Sequence, residues 1–380
     1  MRKIFLITIL SFLFLNTSKS NDNIRVSLLT CSQSVELYSS FGHSAIRIID
    51  SKNNFDIIYN FGIFDFNTPN FYGKFANGIM LYQIGRQKTS NFIKDYTEEN
   101  RWVIEQEIFL TPAEKTNIVE LLNFLYKPEN KFYYYDFLKN NCSTKLRDVV
   151  LKSINRKINF NNITINKSYR DLITECLFDK KWTNLGINLI LGSLIDYEVT
   201  ANESMFLPIY LSNYAKNATI NNQPLVGESK QLNVVNSSLK DGFSIFNPII
   251  LFSILALITI VFRSKKLQYS IFGIIGFLSI LIITLWFFTE QTYSKDNYNI
   301  LWCNPLYLII LIFIALKKTK TVFLITYTLL LCQFAMIIVW FTGVQGFDIA
   351  FIPLFLMLMV YNLRMIKVNN LFLRYFGNNK

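Results

Sequence analysis

The chain has 380 residues, 51% hydrophobic and only 17% charged, and its 35 Phe are too many for an average soluble domain. Lys and Arg number 38 against 26 Asp and Glu, a net charge of +12 that gathers beside apolar segments. That is the pattern of cytoplasmic loops in a membrane protein, and it argues against nucleic acid as a partner. A single histidine and the lack of any C-x-x-C pair argue against a zinc site, and no metal or cofactor is expected.

In chain order, residues 1–20 (MRKIFLITILSFLFLNTSKS) open with Arg2 and Lys3, continue as a short apolar run and end in small and polar residues. This is the layout of a secretory signal, with a retained N-terminal anchor as the alternative. Either places the next part of the chain outside the cytoplasm. Residues 21–215 read as a globular α+β domain. SAIRIID, IIYNFGIFDF and WVIEQEIFL are rich in β-branched and aromatic residues and predict strands. TPAEKTNIVELLNFLYKP predicts a helix capped by Thr111, with Pro112 at its first position and Glu114 completing a capping box. NCSTKLRDVVLKSI predicts a second helix, with Asn141 near its cap. Residues 216–243, polar and aperiodic, predict a tether, or a loop that orders on substrate.

From residue 244 to 380 the chain predicts an all-α transmembrane bundle of five spans, at 244–262, 270–288, 300–316, 322–341 and 349–363. Arg263, Lys265 and Lys266 follow the first span, Lys317, Lys318 and Lys320 the third, and Arg364, Lys367 and Arg374 the fifth. The loops around Glu290 and Asp348 lack such clusters. The positive-inside rule puts the clusters in the cytoplasm and the N-terminal domain on the other side, in agreement with the signal.

Two stretches carry chemistry. FGHSAIRI places His43 just before a strand, and YYYDFLKNNCSTKLRD places Cys142 at a predicted helix start. A helix N-terminus favours a thiolate, and an imidazole can take the proton and return it. Taken alone, Cys142 reads equally well as a buried thiol or as half of a disulfide, and His43 as a structural histidine. The three soluble-half cysteines allow one pair, Cys31 with Cys176, leaving Cys142 free.

LLTCSQSVELYSSFGHSAIRI, IIYNFGIFDFNTPNFYGKFANG, YYYDFLKNNCSTKLRDV, ESMFLPIYL and the loop FFTEQTYSKDNYNILWCNPL together resemble the lipoprotein N-acyltransferase family of Bacteroidota. The resemblance spans nearly the whole chain except the tether. It implies a periplasmic domain of permuted papain-like fold, in which histidine precedes cysteine. It also implies a multi-pass protein of the bacterial inner membrane that moves an acyl chain from a phospholipid to the α-amino group of a diacylated apolipoprotein. Cys142 would be the nucleophile, His43 the base, and Asn60 (second choice Asp65) the residue orienting it. Asn141, or the backbone N–H groups of Cys142 and Ser143, would supply oxyanion donors. In the membrane loop Gln291 stands where a histidine is expected, which weakens a catalytic role there. Asn297, Asn299 and Asn304 would bind a headgroup or the lipoprotein. The competing readings are a cysteine peptidase or amidase acting on cell-wall peptides, which needs no membrane half, and a non-catalytic sensor or scaffold.

Overall fold

The structure is a computed structural model that describes residues 23–65, 68–160, 165–236 and 246–376. The expected signal at 1–20 lies outside the described residues. The strands are β1 Ile24–Cys31, β2 His43–Asp50, β3 Phe55–Ile63, β4 Leu81–Lys88, β5 Val103–Glu107, β6 Phe132–Tyr134, β7 Ile158–Asn159, β8 Thr219–Ile220, β9 Gln223–Pro224 and β10 Lys230–Gln231. Seven of them form one sheet in the order β10-β5-β1-β2-β3-β4-β6, every pairing antiparallel.

Side chains alternate across the sheet, and both faces are covered. Val26, Leu28, Ile46, Ile48, Ile57 and Tyr59 pack with Ile118 and Leu122, Leu146 and Val149, and Leu211 and Tyr214. Those partners come from the helices Pro112–Tyr126, Cys142–Ser153 and Pro208–Asn217. On the opposite face Leu29, Cys31, Ala45, Ile58 and Val103 pack with Phe92 of the Thr89–Glu98 helix. Burial on both faces is why SAIRIID and IIYNF read as almost unbroken apolar runs. The domain is sheet-rich and mixed α+β.

The two helix starts are local chemistry. Thr111 accepts the Glu114 N–H, the Glu114 side chain accepts the Thr111 N–H, and Pro112 begins the helix. Asn141 caps the other helix by accepting from the N–H groups of Ser143 and Thr144. Such caps stabilise a helix by ~1 kcal/mol each.

The stretch expected as a tether folds onto the domain over most of its described length. Ala218, Ile220, Leu225 and Val226 are buried in the main core, β8 joins β7 and β9, and β10 extends the large sheet along β5. Apolar residues spaced among many Asn and Ser gave no period. Strands of two residues are held by distant partners rather than by local propensity. Residues 237–243 of the expected tether lie outside the described residues.

The C-terminal region is helical. Among the described residues three helices are long and apolar enough to cross a membrane: Lys265–Phe287, Thr319–Phe341 and Ile349–Lys367. A bent pair, Thr292–Leu301 with Leu306–Ala315, passes the same test as one unit with a 42° bend. The fifth expected position holds the apolar helix Pro248–Phe262, whose 15 residues reach only ~22 Å against ~30 Å of hydrocarbon. Its ends are fixed locally. Asn247 caps it before Pro248, and Arg263, in a left-handed conformation at φ 52°, closes it. Ser264 then caps the next helix, which begins at Lys265 rather than at 270.

The two halves meet through polar contacts. Arg170 donates to both oxygens of Asp196 (2.7 and 2.8 Å), and Asp196 also accepts the Gly346 N–H at 2.9 Å. The Asn184 amide reaches Asp348 at 2.7 Å. These bonds join the 170–196 part of the soluble domain to the loop before the last helix.

Candidate active site

Gly42 and Gly62 set the backbone on which the site stands. Gly42 has φ +76°, and a Cβ on it would lie 2.8 Å from the Cys31 carbonyl oxygen, so no side chain fits where the chain turns into β2 and His43. Gly62 has φ +89° and sits in the irregularity of β3 between Asn60 and Ile63. A Cβ there would lie 3.7 Å from the Cys142 Cβ, so the strand passes directly beside the nucleophile candidate. A glycine inside a strand pattern is a signal of such close approach, and IIYNFGIF carried it unread.

On this frame the structure brings three predicted residues together. The His43 ring is hydrogen-bonded through Nε2 to Asn60 Oδ1, which leaves Nδ1 for the Cys142 thiol. His43 and Cys142 are themselves hydrogen-bonded and electrostatically coupled. Burial alone would raise the Cys142 pKa. The neighbouring His43 charge, the hydrogen bond from its ring, the Ser44 N–H and the Ser143 hydroxyl outweigh it, and the pKa is lowered. Burial likewise works to lower the His43 pKa, but the adjacent Cys142 sulfur and the bonds to Cys142 and Asn60 raise it overall. Both shifts favour a thiolate–imidazolium pair.

The other soluble-half thiols contrast with this one. Burial pushes Cys31 and Cys176 each up to about 12. Both are free thiols, so the Cys31–Cys176 pair that the sequence allows is not made in this structure.

The helix start is fixed from several sides. The Asn141 amide donates to the carbonyls of Phe137 and Phe206, both at 2.8 Å, while its oxygen holds the N–H groups of Ser143 (3.0 Å) and Thr144 (2.9 Å). The Ser143 hydroxyl meets the Ser44 hydroxyl at 2.9 Å, tying the helix to β2. In this structure the Asn141 amide hydrogens are taken by the Phe137 and Phe206 carbonyls, and the Ser143 N–H by the Asn141 oxygen within the cap. Of the first three helical amides, the cap leaves that of Cys142 itself unused. Of the two residues expected to orient His43, Asn60 is hydrogen-bonded to its ring.

The membrane loop reaches this region by an unexpected route. Tyr293 Oη donates to both Asp136 oxygens (2.8 and 3.0 Å). Asp136 in turn accepts the N–H groups of Leu138 and Lys139, closing the turn that leads into Asn141. Gln291 donates to the Phe75 carbonyl at 2.7 Å.

The three loop asparagines are buried and hydrogen-bonded within the protein. Asn297 and Asn299 are 0% exposed and Asn304 is 8% exposed. Asn297 donates to the Leu189 carbonyl and accepts the Asn299 N–H; Asn299 donates to the Asn188 carbonyl and accepts from Trp302. Asn304 donates to Ile300 and accepts the Leu306 N–H. Asn297 and Asn299 thus join the loop to the soluble domain, and Asn304 braces the start of the next helix. Among the described residues no group of three or more His, Cys, Asp or Glu side chains is placed to hold a metal ion.

Two family models match the chain. The model of the Lnb N-terminal periplasmic domain covers residues 14–175, and that of the Lnb transmembrane domain covers residues 240–370. The chain belongs to the Lnb lipoprotein N-acyltransferase family. The paired domains are those of a lipoprotein-processing membrane protein, with a periplasmic N-terminal domain and several apolar helices. The periplasmic match contains His43, Asn60 and Cys142, and the transmembrane match contains the loop that braces the Cys142 turn. No curated protein and no solved structure matches the chain.

Proposed function

We propose that this protein is a cysteine-dependent acyltransferase that moves an acyl chain from a phospholipid to the free α-amino group of a diacylglyceryl-cysteine lipoprotein. The observation that carries the reading is the hydrogen-bonded series Asn60–His43–Cys142 at a capped helix start, within a domain of the Lnb family.

In the first half-reaction the Cys142 thiolate attacks the phospholipid ester carbonyl. The oxyanion takes the helix-terminal Cys142 N–H as donor. As the tetrahedral intermediate collapses, the carbon–oxygen bond to glycerol breaks and imidazolium His43 protonates the leaving alkoxide. Lysophospholipid departs and an acyl thioester remains on Cys142. In the second half-reaction the lipoprotein amine attacks the thioester carbonyl and His43, now neutral, takes a proton from it. The carbon–sulfur bond breaks, leaving an amide, a thiolate and an imidazolium, which is the starting state. Asn60 holds the ring with one nitrogen towards sulfur throughout.

The architecture fits two substrates that are both lipids. A catalytic domain fastened to membrane helices meets them at the bilayer surface without extracting either into water. We place the protein in the bacterial inner membrane with five crossings, the Lys/Arg clusters in the cytoplasm and the catalytic domain in the periplasm. The permuted papain-like relationship rests on the order His43 before Cys142 and the placement of Cys142 on a helix beside the sheet.

The test is intact-mass analysis of the purified protein after incubation with phospholipid vesicles. Wild type gains a hydroxylamine-labile acyl chain on Cys142 and releases lysophospholipid in equal amount, and Cys142→Ser does neither. A wild type that cleaves cell-wall peptides and releases no lysophospholipid would move the peptidase reading to the front.

A further inference from the structure

An unbroken row of aromatic rings runs from Cys142 to the membrane loop. The backbone of Gly62, beside Cys142, also lies against Tyr135; a Cβ there would be 4.0 Å from the Tyr135 ring. Tyr135 stacks on Tyr82 (centroids 4.2 Å apart, planes at 22°), and Phe64 follows at 5.2 Å from Tyr82. Phe71 lies 5.8 Å from Phe64, and Phe75 stacks on Phe71 at 6.3 Å and 10°. Tyr38 flanks Phe64 at 6.1 Å.

An ordinary core closes on itself, and this row does not. Tyr82 and Phe71 are buried, but Phe75 is 53% exposed and Tyr38 62%. At Phe75 the row meets the membrane domain. The Phe75 carbonyl accepts from Gln291, and the Asn77 carbonyl accepts the Glu290 N–H at 2.9 Å. Just before these residues the Lys265–Phe287 helix ends in Phe287 and Phe288, 66% and 75% exposed. Apolar surface left open at the flank and far end of a row that starts beside a thiol and stops at an apolar membrane helix marks a binding surface for something that comes out of the bilayer.

We infer that this row is the seat of the donor's acyl chain, with the carbonyl end at Cys142 and the methyl end towards Phe75 and the membrane. The inference rests on the acyl-transfer reading. It assigns the row to the donor and not to the acceptor for a chemical reason. The acyl carbon bonded to sulfur carries the donor's chain, so that chain must start at Cys142. The acceptor's chains are set apart from its reacting amine by the glyceryl-cysteine unit. Chain-length preference then resides in the periplasmic domain, and the far rings discriminate long chains from short ones.

The experiment uses the full-length protein in detergent micelles, with phosphatidylethanolamine carrying either palmitoyl or hexanoyl chains. The rate of acyl-Cys142 formation is followed by intact mass for wild type, Phe75→Ser, Phe71→Leu and, as a control, Phe124→Ser. Phe124 is also half exposed but lies on a different helix, Pro112–Tyr126. The expected result is a palmitoyl-to-hexanoyl rate ratio that falls about tenfold in Phe75→Ser and falls measurably in Phe71→Leu. Phe124→Ser keeps the wild-type ratio. A ratio unchanged in both row variants overturns the seat while leaving acyl transfer intact. A wild type that acquires neither chain on Cys142 overturns the acyl-transfer reading, and the seat with it.

Discussion

Two polar clusters lie in this molecule, one at the start of the Cys142–Ser153 helix and one in the loop holding Asn297, Asn299 and Asn304. They look alike in sequence, since each gathers asparagines beside aromatic and apolar residues. They differ in what their polar atoms are doing. The loop asparagines are buried, and their amides are committed to the carbonyls of Leu189, Asn188 and Ile300. At the other cluster Asn141 is committed in the same way, but His43 and Cys142 are only part-buried and are bonded in a series that ends on a nucleophilic atom. A polar residue becomes a site by keeping hydrogen-bonding or proton-transfer capacity that folding has not used. Residue type alone does not tell the two cases apart.

Variants sharpen this contrast, and the largest effect is expected at His43. His43→Gln removes the proton carrier and should slow acyl-Cys142 formation about 10²- to 10⁴-fold. It should also change the pH dependence of Cys142 alkylation. The His43 partnership lowers the thiol pKa and the thiolate raises that of the ring, so the reactive pair exists between the two values. In wild type, alkylation by iodoacetamide therefore persists below the ordinary thiol range. In His43→Gln it should begin only at higher pH, as burial without the charged partner predicts. Equal profiles for the two proteins would remove His43 from the mechanism.

Asn60→Ala should have a smaller effect, because it removes one hydrogen bond to a charged ring and not the ring itself. Such a bond is worth ~1.5–3 kcal/mol, so a fall of roughly 10- to 100-fold in the acylation rate is expected, with the thiol profile moved part of the way towards that of His43→Gln. A variant with wild-type rate and profile would assign Asn60 to packing only.

Asn299→Ala tests the other cluster and should leave the chemistry alone. It abandons the buried Asn188 and Leu189 carbonyls and the Trp302 N–H, at a cost of about 1–3 kcal/mol in stability. Thermal unfolding in detergent should show that loss, while acylation per folded molecule stays within a few-fold of wild type. A large fall in acylation at unchanged stability would restore the loop to the substrate site.

Legibility in the sequence depended on the range of the interactions involved. Thr111, Pro112 and Glu114 act within one turn, so the helix they start was legible, and the same holds for Asn141 as the cap before Cys142. His43 stood out as the only histidine, and the chain order of histidine and cysteine carried the family resemblance. Burial was not legible where it depends on distant partners. Asn297 and Asn299 are closed over by the Asn184–Leu191 end of the soluble domain, more than a hundred residues earlier in the chain. Ala218 and Leu225 sit among polar neighbours in sequence but against the main core in space. Asn141 was legible as the neighbour of Cys142, but the commitment of its amide hydrogens to the Phe137 and Phe206 carbonyls, the second 65 residues away, was not. The sequence also held a glycine signal at Gly62, whose meaning required the neighbouring helix.

The most direct test of lipoprotein N-acylation through Cys142 is made in cells that lack their own lipoprotein N-acyltransferase. Wild type and Cys142→Ser are expressed beside a reporter lipoprotein, and its N-terminal peptide is weighed by mass spectrometry. The expected outcome is a triacylated peptide with wild type and a diacylated one with Cys142→Ser at equal expression. A diacylated peptide in both, with the wild-type protein present and folded in the membrane, would contradict the proposed function.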